Sequence, residues 1–255
     1  MVNDGNPPAP EDLDVTVEVR VVVTTVVDGA FQVLLRQRTV PPFRDSWELP
    51  GGPLQPGEGL EDAARRELAK AAPGHDHDVG SRQYHLEQFG AYGDPDPIPE
   101  DAPERVVSIG YWAIVPNLAD TAMGDHVTSH KLFPVAEADA GQTREFDEVR
   151  LAFNHRQILA DAIEWARDRL ENTTIAASFC GPEFTISELR GVYDAVWRTK
   201  LDPGNFQRKV KQTNDFLVSL QRTNHSDDKA GRPAALWSLG SASRLNPPLS
   251  RPNPS

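Results

Sequence analysis

Four charged side chains in a short stretch of this sequence could bind a metal ion or a phosphate group. Glu58 and Glu67 are carboxylates of the kind that coordinate Mg²⁺, and Arg66 and Lys70 are cations that pair with anions. Carboxylates three and four residues apart on a helix share one face, so acids at those distances from Glu67 would converge with it on one ion. Lys70 and Ala71 occupy these two positions. The stretch therefore has the frame of a metal site without two of its acids.

The spacing of this stretch resembles the Nudix box. In that family the signature continues after Arg-Glu-Leu with any residue, two glutamates, any residue and a glycine. The run WELPGG at 47–52 also resembles the family's approach to the box. The residues that carry the resemblance, and the departures from it, are Gly52, Glu58, Arg66, Glu67 and Leu68, followed by Lys70, Ala71 and Pro73.

The resemblance implies a Nudix-type domain, and the departures predict that its box is catalytically degenerate. At about 4 Å and an effective dielectric near 20, Lys70 would repel a divalent ion by on the order of 8 kcal/mol. Pro73 stands where the family has a glycine, so the loop after the helix is not expected to keep the geometry of the family. The simpler alternative is the solvated face of an amphipathic helix with Leu60 and Leu68 inward. A hydrolase would need carboxylates from outside the box, for which the candidates are Glu100, Asp101, Glu104, Glu145, Asp147 and Glu148.

Alternating and helical hydrophobic patterns predict the elements that must position this box. Valines alternate from Val15 to Val23, and Asp28-Gly29 is a hairpin signal that leads to a second strand. Residues 106–115 form a further apolar strand. Helical spacing over 155–171 indicates a linking helix. These elements predict an α+β or α/β sandwich, and the resemblance implies the α+β form, a Nudix-type α/β/α sandwich with a mixed sheet.

The C-terminal part has a winged helix order of elements. Thr185-Ile186-Ser187-Glu188 has the form of a capping box, and Asp202-Pro203 is a typical helix start for the segment 201–212. Two strands separated by a polar loop follow. The second helix carries side chains that contact bases and phosphates, unless it is an ordinary solvated helix. The predicted DNA-binding residues are Asn205, Gln207, Arg208, Lys209 and Lys211, with Arg232 after the loop.

These C-terminal motifs resemble, at matching spacing, the DNA-binding domain of Nudix-related transcriptional regulators (NrtR). The resemblance rests on the runs FTISEL at 184–189, NFQRK at 205–209 and GRPA at 231–234, and it reaches LAFNH at 151–155. It implies a dimeric bacterial repressor of NAD-metabolism genes, with a Nudix-like domain that senses ADP-ribose or a related nucleotide. The partners would be operator DNA with an inverted repeat, and that nucleotide. The candidate effector contacts are Arg36, Arg38, Trp47 and Arg105.

Composition and charge fit this interpretation. Residues 171–255 contain eleven basic and eight acidic residues, so this part has a net charge of +3. The net charge of the whole chain is -12, so residues 1–170 have a net charge of -15. The single cysteine, Cys180, fits a reducing compartment, and no secretory signal or membrane span is visible. We therefore predict a cytoplasmic protein, nucleoid-associated when bound to DNA. No histidine spacing indicates zinc and no Walker loop is present, so the sequence predicts no cofactor.

The predicted boundaries follow from these patterns. Residues 1–12 are expected to be a disordered arm, 13–152 a Nudix-like effector domain and 153–172 a linker helix. Residues 173–240 are expected to form the winged helix domain, and 241–255 a disordered Ser/Pro/Asn tail. Two alternatives stay open: a Nudix hydrolase of ADP-ribose-like nucleoside diphosphate derivatives, and an adaptor that uses the winged helix without DNA.

Overall fold

The computed structural model describes residues 15–73, 84–94, 105–118, 130–135, 149–224 and 233–252, and the structural statements below refer to these. The predicted arm at 1–12, Arg232 and the six candidate acids from outside the box lie beyond the described residues. The first part of the chain contains β1 (Val15–Val27), β2 (Ala30–Gln37), β3 (Trp47–Glu48), β4 (Gly51–Pro53), α1 (Leu60–Ala71), β5 (His85–Tyr92), β6 (Arg105–Ile114) and β7 (His130–Pro134).

These strands form one mixed sheet with the main order β3-β2-β1-β6-β5, while β4 pairs with β1 and β7 pairs with β2. The β1–β6 pair is parallel and the other pairs are antiparallel. Asp28 and Gly29 join β1 to β2 with φ of 51° and 74°. Two successive positive φ angles match the twist of a tight hairpin, which is why Asp-Gly is favoured there.

The sheet is covered on both faces. Val19, Val21 and Val23 pack with Ala64 and Leu68 of α1. Val22, which points to the opposite face, belongs to a second core that contains the helix after residue 154 and the C-terminal domain. The strict alternation of β1 therefore separates two apolar layers, as its period of two requires. This confirms the predicted α+β sandwich.

The second part of the chain contains α2 (His155–Asn172), a 3-10 helix (Thr174–Phe179), β8 (Phe184–Thr185), α3 (Ile186–Trp197), α4 (Pro203–Gln212), β9 (Leu217–Thr223) and β10 (Ala235–Leu239). Strands β8, β10 and β9 form a small sheet beside the helices. Helix α3 starts with the predicted capping box, in which Thr185 and Glu188 satisfy each other's backbone amides. Asp202 caps α4 by accepting from Asn205 N.

The C-terminal segment corrects one prediction, because residues 241–252 are not a disordered tail. Leu245 and Leu249 are both buried, and their backbone amides donate 3.0 Å hydrogen bonds to the carbonyl oxygens of Asn172 and Glu171 at the end of α2. Two isolated leucines in a Ser/Pro/Asn-rich sequence form no local pattern. Their burial depends on the apolar surface of the winged helix domain, which the local sequence does not reveal.

Candidate functional site

The Nudix-like box begins with a closed ion pair between Glu58 and Arg66. Arg66 Nε donates to one carboxylate oxygen of Glu58 at 2.7 Å and Arg66 Nη2 donates to the other at 2.8 Å. The backbone amide of Gln55 adds a third hydrogen bond, to Glu58 Oε2, at 2.9 Å. The hydrogen bonds from Arg66, followed by the one from Gln55, lower the pKa of Glu58 to about 2. Both oxygens of this carboxylate are therefore already occupied by donors.

The second acid of the box, Glu67, is buried between α1 and β4. Its Oε1 accepts from Lys70 Nζ at 2.8 Å and also from Arg66. Only 5% of the Glu67 side chain is exposed, against 58% for Lys70. Gly52 gives this carboxylate room, because a Cβ there would stand 3.2 Å from Glu67 Oε1, closer than an ordinary van der Waals contact. The structure thus brings the predicted box residues together, and Lys70 pairs with Glu67, the carboxylate that a metal ion would need as a ligand.

The side chains of the box do not fit the divalent ion that the Nudix fold implies. The guanidinium of Arg66 pairs with both Glu58 and Glu67, and Glu67 also pairs with the ammonium of Lys70. The buried Ala71 offers no ligand. A divalent ion needs several free oxygen ligands. Within the described ranges, no group of three or more His, Cys, Asp or Glu residues is arranged to hold a metal.

The predicted effector residues Arg36 and Arg38 meet at a buried acid. Arg36 donates to Glu48 Oε1 at 2.7 Å through Nη2, and Arg38 Nη1 donates to Glu48 Oε2 at 3.0 Å. Arg20 approaches the same oxygen of Glu48 to 3.8 Å. Glu48 is only 2% exposed, whereas a third of the Arg36 side chain is accessible. We call these four residues the arginine cluster; it combines three cations with one carboxylate, so it carries excess positive charge.

Trp47 and Arg105 do not join the arginine cluster. The Trp47 ring packs edge-to-face on Phe133 at 4.7 Å, as part of the second core. Arg105 is exposed at the start of β6, level with Val15, and donates to the carbonyl oxygen of Gly93 at 2.9 Å. Trp47 therefore has a packing environment, and Arg105 lies where the sheet begins rather than beside Glu48.

Sequence reasoning missed three members of this region, namely Glu48, Arg20 and His155. Arg20 is held by Glu18 at 2.7 Å through its Nε, and Glu18 also accepts from Ser108 Oγ at 2.6 Å. A signal existed for Arg20, because Glu18 and Arg20 interrupt an otherwise apolar strand. Buried charges are seldom found without partners, so such interruptions indicate a polar network.

The C-terminal domain presents a basic helix to the solvent. Phe206 and Val210 of α4 are buried, and the remaining face carries the predicted DNA-binding residues, all of them exposed: Asn205, Gln207, Arg208, Lys209 and Lys211. Among residues 202–212, the only acidic residue is Asp202, which caps the helix. An exposed helix of this composition suits contact with phosphates and base edges.

A groove lies between this helix and the small sheet. It has a volume of about 470 Å³ and is lined by residues of α3, α4 and β10, among them Ser187, Arg190, Gln207, Lys211 and Trp237. Lys211 Nζ stands 5.2 Å above the Trp237 ring, so the strand and the basic helix are connected through a cation–π contact.

A sandwich domain followed by an exposed basic helix and a small sheet defines a protein with a Nudix-type domain and a winged helix domain. Comparison with known families agrees with this class. The family model for the NUDIX domain matches residues 17–162, and the family model for the NrtR DNA-binding winged helix domain matches residues 176–239. The chain belongs to the Nudix family and carries the NrtR type of winged helix, which confirms both resemblances seen in the sequence.

Individual relatives extend the likeness over both domains. The chain is 26% identical over 217 residues to the ADPR responsive transcriptional repressor NtrR of Acinetobacter baylyi, a region that spans 84% of this chain and 78% of that protein. The crystal structure of Shewanella oneidensis NrtR complexed with a 27mer DNA has a TM-score of 0.73 at 25% identity and covers 92% of this chain and 99% of that one.

A third comparison concerns the fold alone. A MutT/nudix family protein from Enterococcus faecalis has a TM-score of 0.64 at 23% identity, and the match covers 91% of this chain and 89% of that chain. Over the parts of the chain that the structure describes, no helix is long and apolar enough to cross a membrane.

Proposed function

We propose that this protein is a DNA-binding transcriptional regulator, a repressor of NAD biosynthesis or salvage genes, whose Nudix domain senses ADP-ribose or a related nucleotide. The observation that carries this proposal is the likeness, over nearly the whole chain, to the structure of Shewanella oneidensis NrtR complexed with DNA. The Acinetobacter relative described as ADPR responsive supports the effector class. A protein that binds operator DNA would act in the bacterial cytoplasm, at the nucleoid.

The exposed face of α4 is the proposed DNA-reading surface. Arg208 can pair bidentately with guanine, Gln207 and Asn205 can pair with adenine, and Lys209 and Lys211 can neutralise phosphates. One helix of this length reads only a few base pairs. We therefore propose a homodimer on an inverted repeat, since a two-fold arrangement doubles the contacts and sets the half-sites about one or two helical turns apart.

We further propose that the Nudix domain binds its nucleotide without hydrolysing it. Both carboxylate oxygens of Glu58 and Oε1 of Glu67 accept hydrogen bonds from Arg66 and Lys70, which leaves few oxygen ligands for the metal that would activate water. The arginine cluster offers donors to the phosphates of the effector through the accessible part of Arg36. If the nucleotide binds the DNA-free state better, it must weaken operator affinity by the factor with which DNA weakens nucleotide binding.

A gel-shift titration with DNA from upstream of the protein's own gene tests the proposal. The full chain should retard this DNA at concentrations that leave an unrelated duplex of equal length free, and millimolar ADP-ribose should release it. Equal retardation of both duplexes would remove the operator-specific part of the proposal. The absence of any retardation would favour the adaptor alternative, in which the winged helix contacts protein.

The hydrolase alternative is tested separately. With millimolar Mg²⁺ or Mn²⁺ and ADP-ribose, the protein should release AMP no faster than buffer. Turnover that disappears in Glu67→Gln would assign the activity to the box and overturn the non-catalytic part of the proposal. Restoring both acids in the variant Lys70→Glu with Ala71→Glu is expected to favour metal binding, but Pro73 still alters the loop that follows.

A further inference from the structure

Lys70 places a positive charge at the one point of the box where the Nudix fold implies a divalent ion. Its Nζ lies 2.8 Å from Oε1 of Glu67, whose side chain is 5% exposed, while 58% of the Lys70 side chain is accessible. The acid therefore lies beneath the surface and the ammonium lies above it. The ammonium is therefore accessible from the solvent to an anionic ligand, while its partner carboxylate is not.

This pair differs from an ordinary surface ion pair on the same helix. Glu61 and Arg65 are also paired on α1, but both side chains are substantially exposed, at 59% and 38%. Such exposed pairs contribute little to stability, because water already solvates each charge and screens their attraction. Glu67 is instead buried beside Gly52, and its Oε1 accepts from both Arg66 and Lys70, so this carboxylate is less hydrated than that of Glu61.

The charges of the box are balanced by Lys70. Glu58 and Glu67 contribute two negative charges, and Arg66 and Lys70 contribute two positive charges, all within one connected set of hydrogen bonds. Without Lys70 the set would carry a net negative charge and would repel a diphosphate. In a catalytic box this repulsion is overcome by metal ions. Here a side chain removes it.

We infer that Lys70 is a tethered cation that takes over the role of the metal in effector recognition. Its ammonium bridges Glu67 and the diphosphate of a nucleoside diphosphate derivative, so that sensing needs no divalent ion. The inference rests on the proposed function, because it assumes that the Nudix domain binds such a nucleotide. It adds that the lysine which removes catalysis also provides the contact for binding, and that the sensor does not respond to Mg²⁺.

Calorimetric titration of ADP-ribose into the full-length protein tests the inference. The dissociation constant should agree within about twofold between a buffer with EDTA and a buffer with millimolar Mg²⁺. Lys70→Met, which keeps most of the aliphatic stem, should weaken binding about tenfold in both buffers, the loss expected for one charge-assisted hydrogen bond. Arg65→Met is the matched control, because it removes a cation from the same helix, and its affinity should remain that of the wild type.

A charge-reversal variant makes the test sharper. Lys70→Glu adds a carboxylate beside Glu67, so its binding of ADP-ribose should be weaker than that of Lys70→Met in EDTA and should recover when Mg²⁺ or Mn²⁺ is added. The wild type should show no such recovery. Because both variants remove the ammonium from the buried Glu67 and leave Arg66 as its partner, thermal unfolding of each variant checks that it is folded at the temperature of the titration.

The outcomes separate this inference from the proposed function. Wild-type binding that requires Mg²⁺, or a Lys70→Met variant that binds as tightly as Arg65→Met, would overturn the role of Lys70 while leaving nucleotide sensing intact. Absence of ADP-ribose binding in both buffers would overturn the inference together with the proposed effector. The gel-shift with operator DNA, carried out on the same preparation, reports independently whether the regulator itself is active.

Discussion

The backbone amide of Leu49 donates a 3.1 Å hydrogen bond to Nδ1 of His155. Leu49 belongs to the segment that leads into the box, and His155 is the first residue of α2, which continues to the winged helix domain. Phe153 lies against this junction, with Arg38 4.9 Å above its ring. This hydrogen bond therefore joins the Nudix domain directly to the first turn of α2, in addition to the apolar core that the two parts share.

The first prediction concerns the response of stability to pH at this junction. Burial, followed by the charges of Arg20, Arg38 and Arg36, holds the pKa of His155 well below its usual range. The unfolded chain therefore takes up a proton on His155 at a higher pH than the folded chain. Stability falls as the pH decreases below about 6.5, with a slope of up to about 1.4 kcal/mol per pH unit for one such histidine. Urea unfolding at pH 7.5, 6.5 and 5.5 measures it.

A variant isolates the contribution of His155. His155→Asn keeps an acceptor near the position of Nδ1 but does not titrate, so the decrease in stability between pH 7.5 and 5.5 should become smaller. It should not vanish, since burial also lowers the pKa values of His85 and His130. An unchanged slope in His155→Asn would contradict the assignment.

Local signals made much of this fold predictable. The Asp28-Gly29 hairpin, the capping box at Thr185 and the start of α4 at Asp202 each depend on a few consecutive residues, and each was found as expected. The side chains exposed on α4 followed from helical periodicity once the helix was placed. These features are set by backbone geometry within one turn, which the sequence encodes directly.

Features that depend on distant partners were not predictable in the same way. Trp47 is partly buried because Phe133 of β7 packs against it, and the pairing of β6 with β1 places Arg105 opposite Val15 rather than near Glu48. Leu245 and Leu249 are buried against a domain that begins some seventy residues earlier in the chain. In each case the residue type allowed two environments, and tertiary packing decided between them.

The second prediction tests the packed C-terminal segment. Leu249 is 4% exposed and its amide donates to the carbonyl oxygen of Glu171. Leu249→Ala should lower the free energy of unfolding by about 2 kcal/mol, because a buried leucine loses apolar contacts and leaves a cavity. The exposed neighbour Ser250 supplies the control, since Ser250→Ala should change stability by less than about 0.5 kcal/mol. Equal stabilities for the two variants, measured by urea unfolding, would show that Leu249 is not packed and that the segment is a disordered tail.

The third prediction concerns the buried acid of the arginine cluster. Glu48→Gln leaves Arg20, Arg36 and Arg38 without their shared carboxylate in a largely buried site. The free energy of unfolding should decrease by about 3 kcal/mol, the low end for a broken buried ion pair, because a third of Arg36 remains hydrated. Glu61→Gln breaks the exposed pair with Arg65 and should cost less than about 0.5 kcal/mol. Denaturant unfolding of both variants at pH 7.5 provides the comparison, and similar costs would show that the cluster is solvated.

The fourth prediction concerns DNA readout by α4, where Arg208 and Lys211 lie on the exposed face but in different surroundings. Arg208 approaches Asn205 Oδ1 at 3.5 Å, and Lys211 rests over Trp237. If Arg208 reads a base, Arg208→Ala should weaken operator binding by about 1 to 3 kcal/mol and relax the preference at one position of the half-site. Lys211→Ala should weaken all sequences alike and reduce the slope of log affinity against log salt by about one. Fluorescence anisotropy with operator and scrambled duplexes at several salt concentrations distinguishes the two effects.

Charge distribution gives this experiment its control. Residues 1–170 carry a charge of -15, which disfavours contact between that part of the chain and DNA. Removing a cation from the Nudix domain should therefore not imitate the loss of a DNA contact. Arg65→Ala, on α1 of the Nudix domain, lowers the net charge by the same amount as Lys211→Ala and should leave the salt slope unchanged. A triple variant of Arg208, Lys209 and Lys211 to alanine should lose specific binding altogether. If that triple variant retains wild-type affinity for the operator, α4 does not contact the DNA and the reading surface lies elsewhere on the winged helix domain.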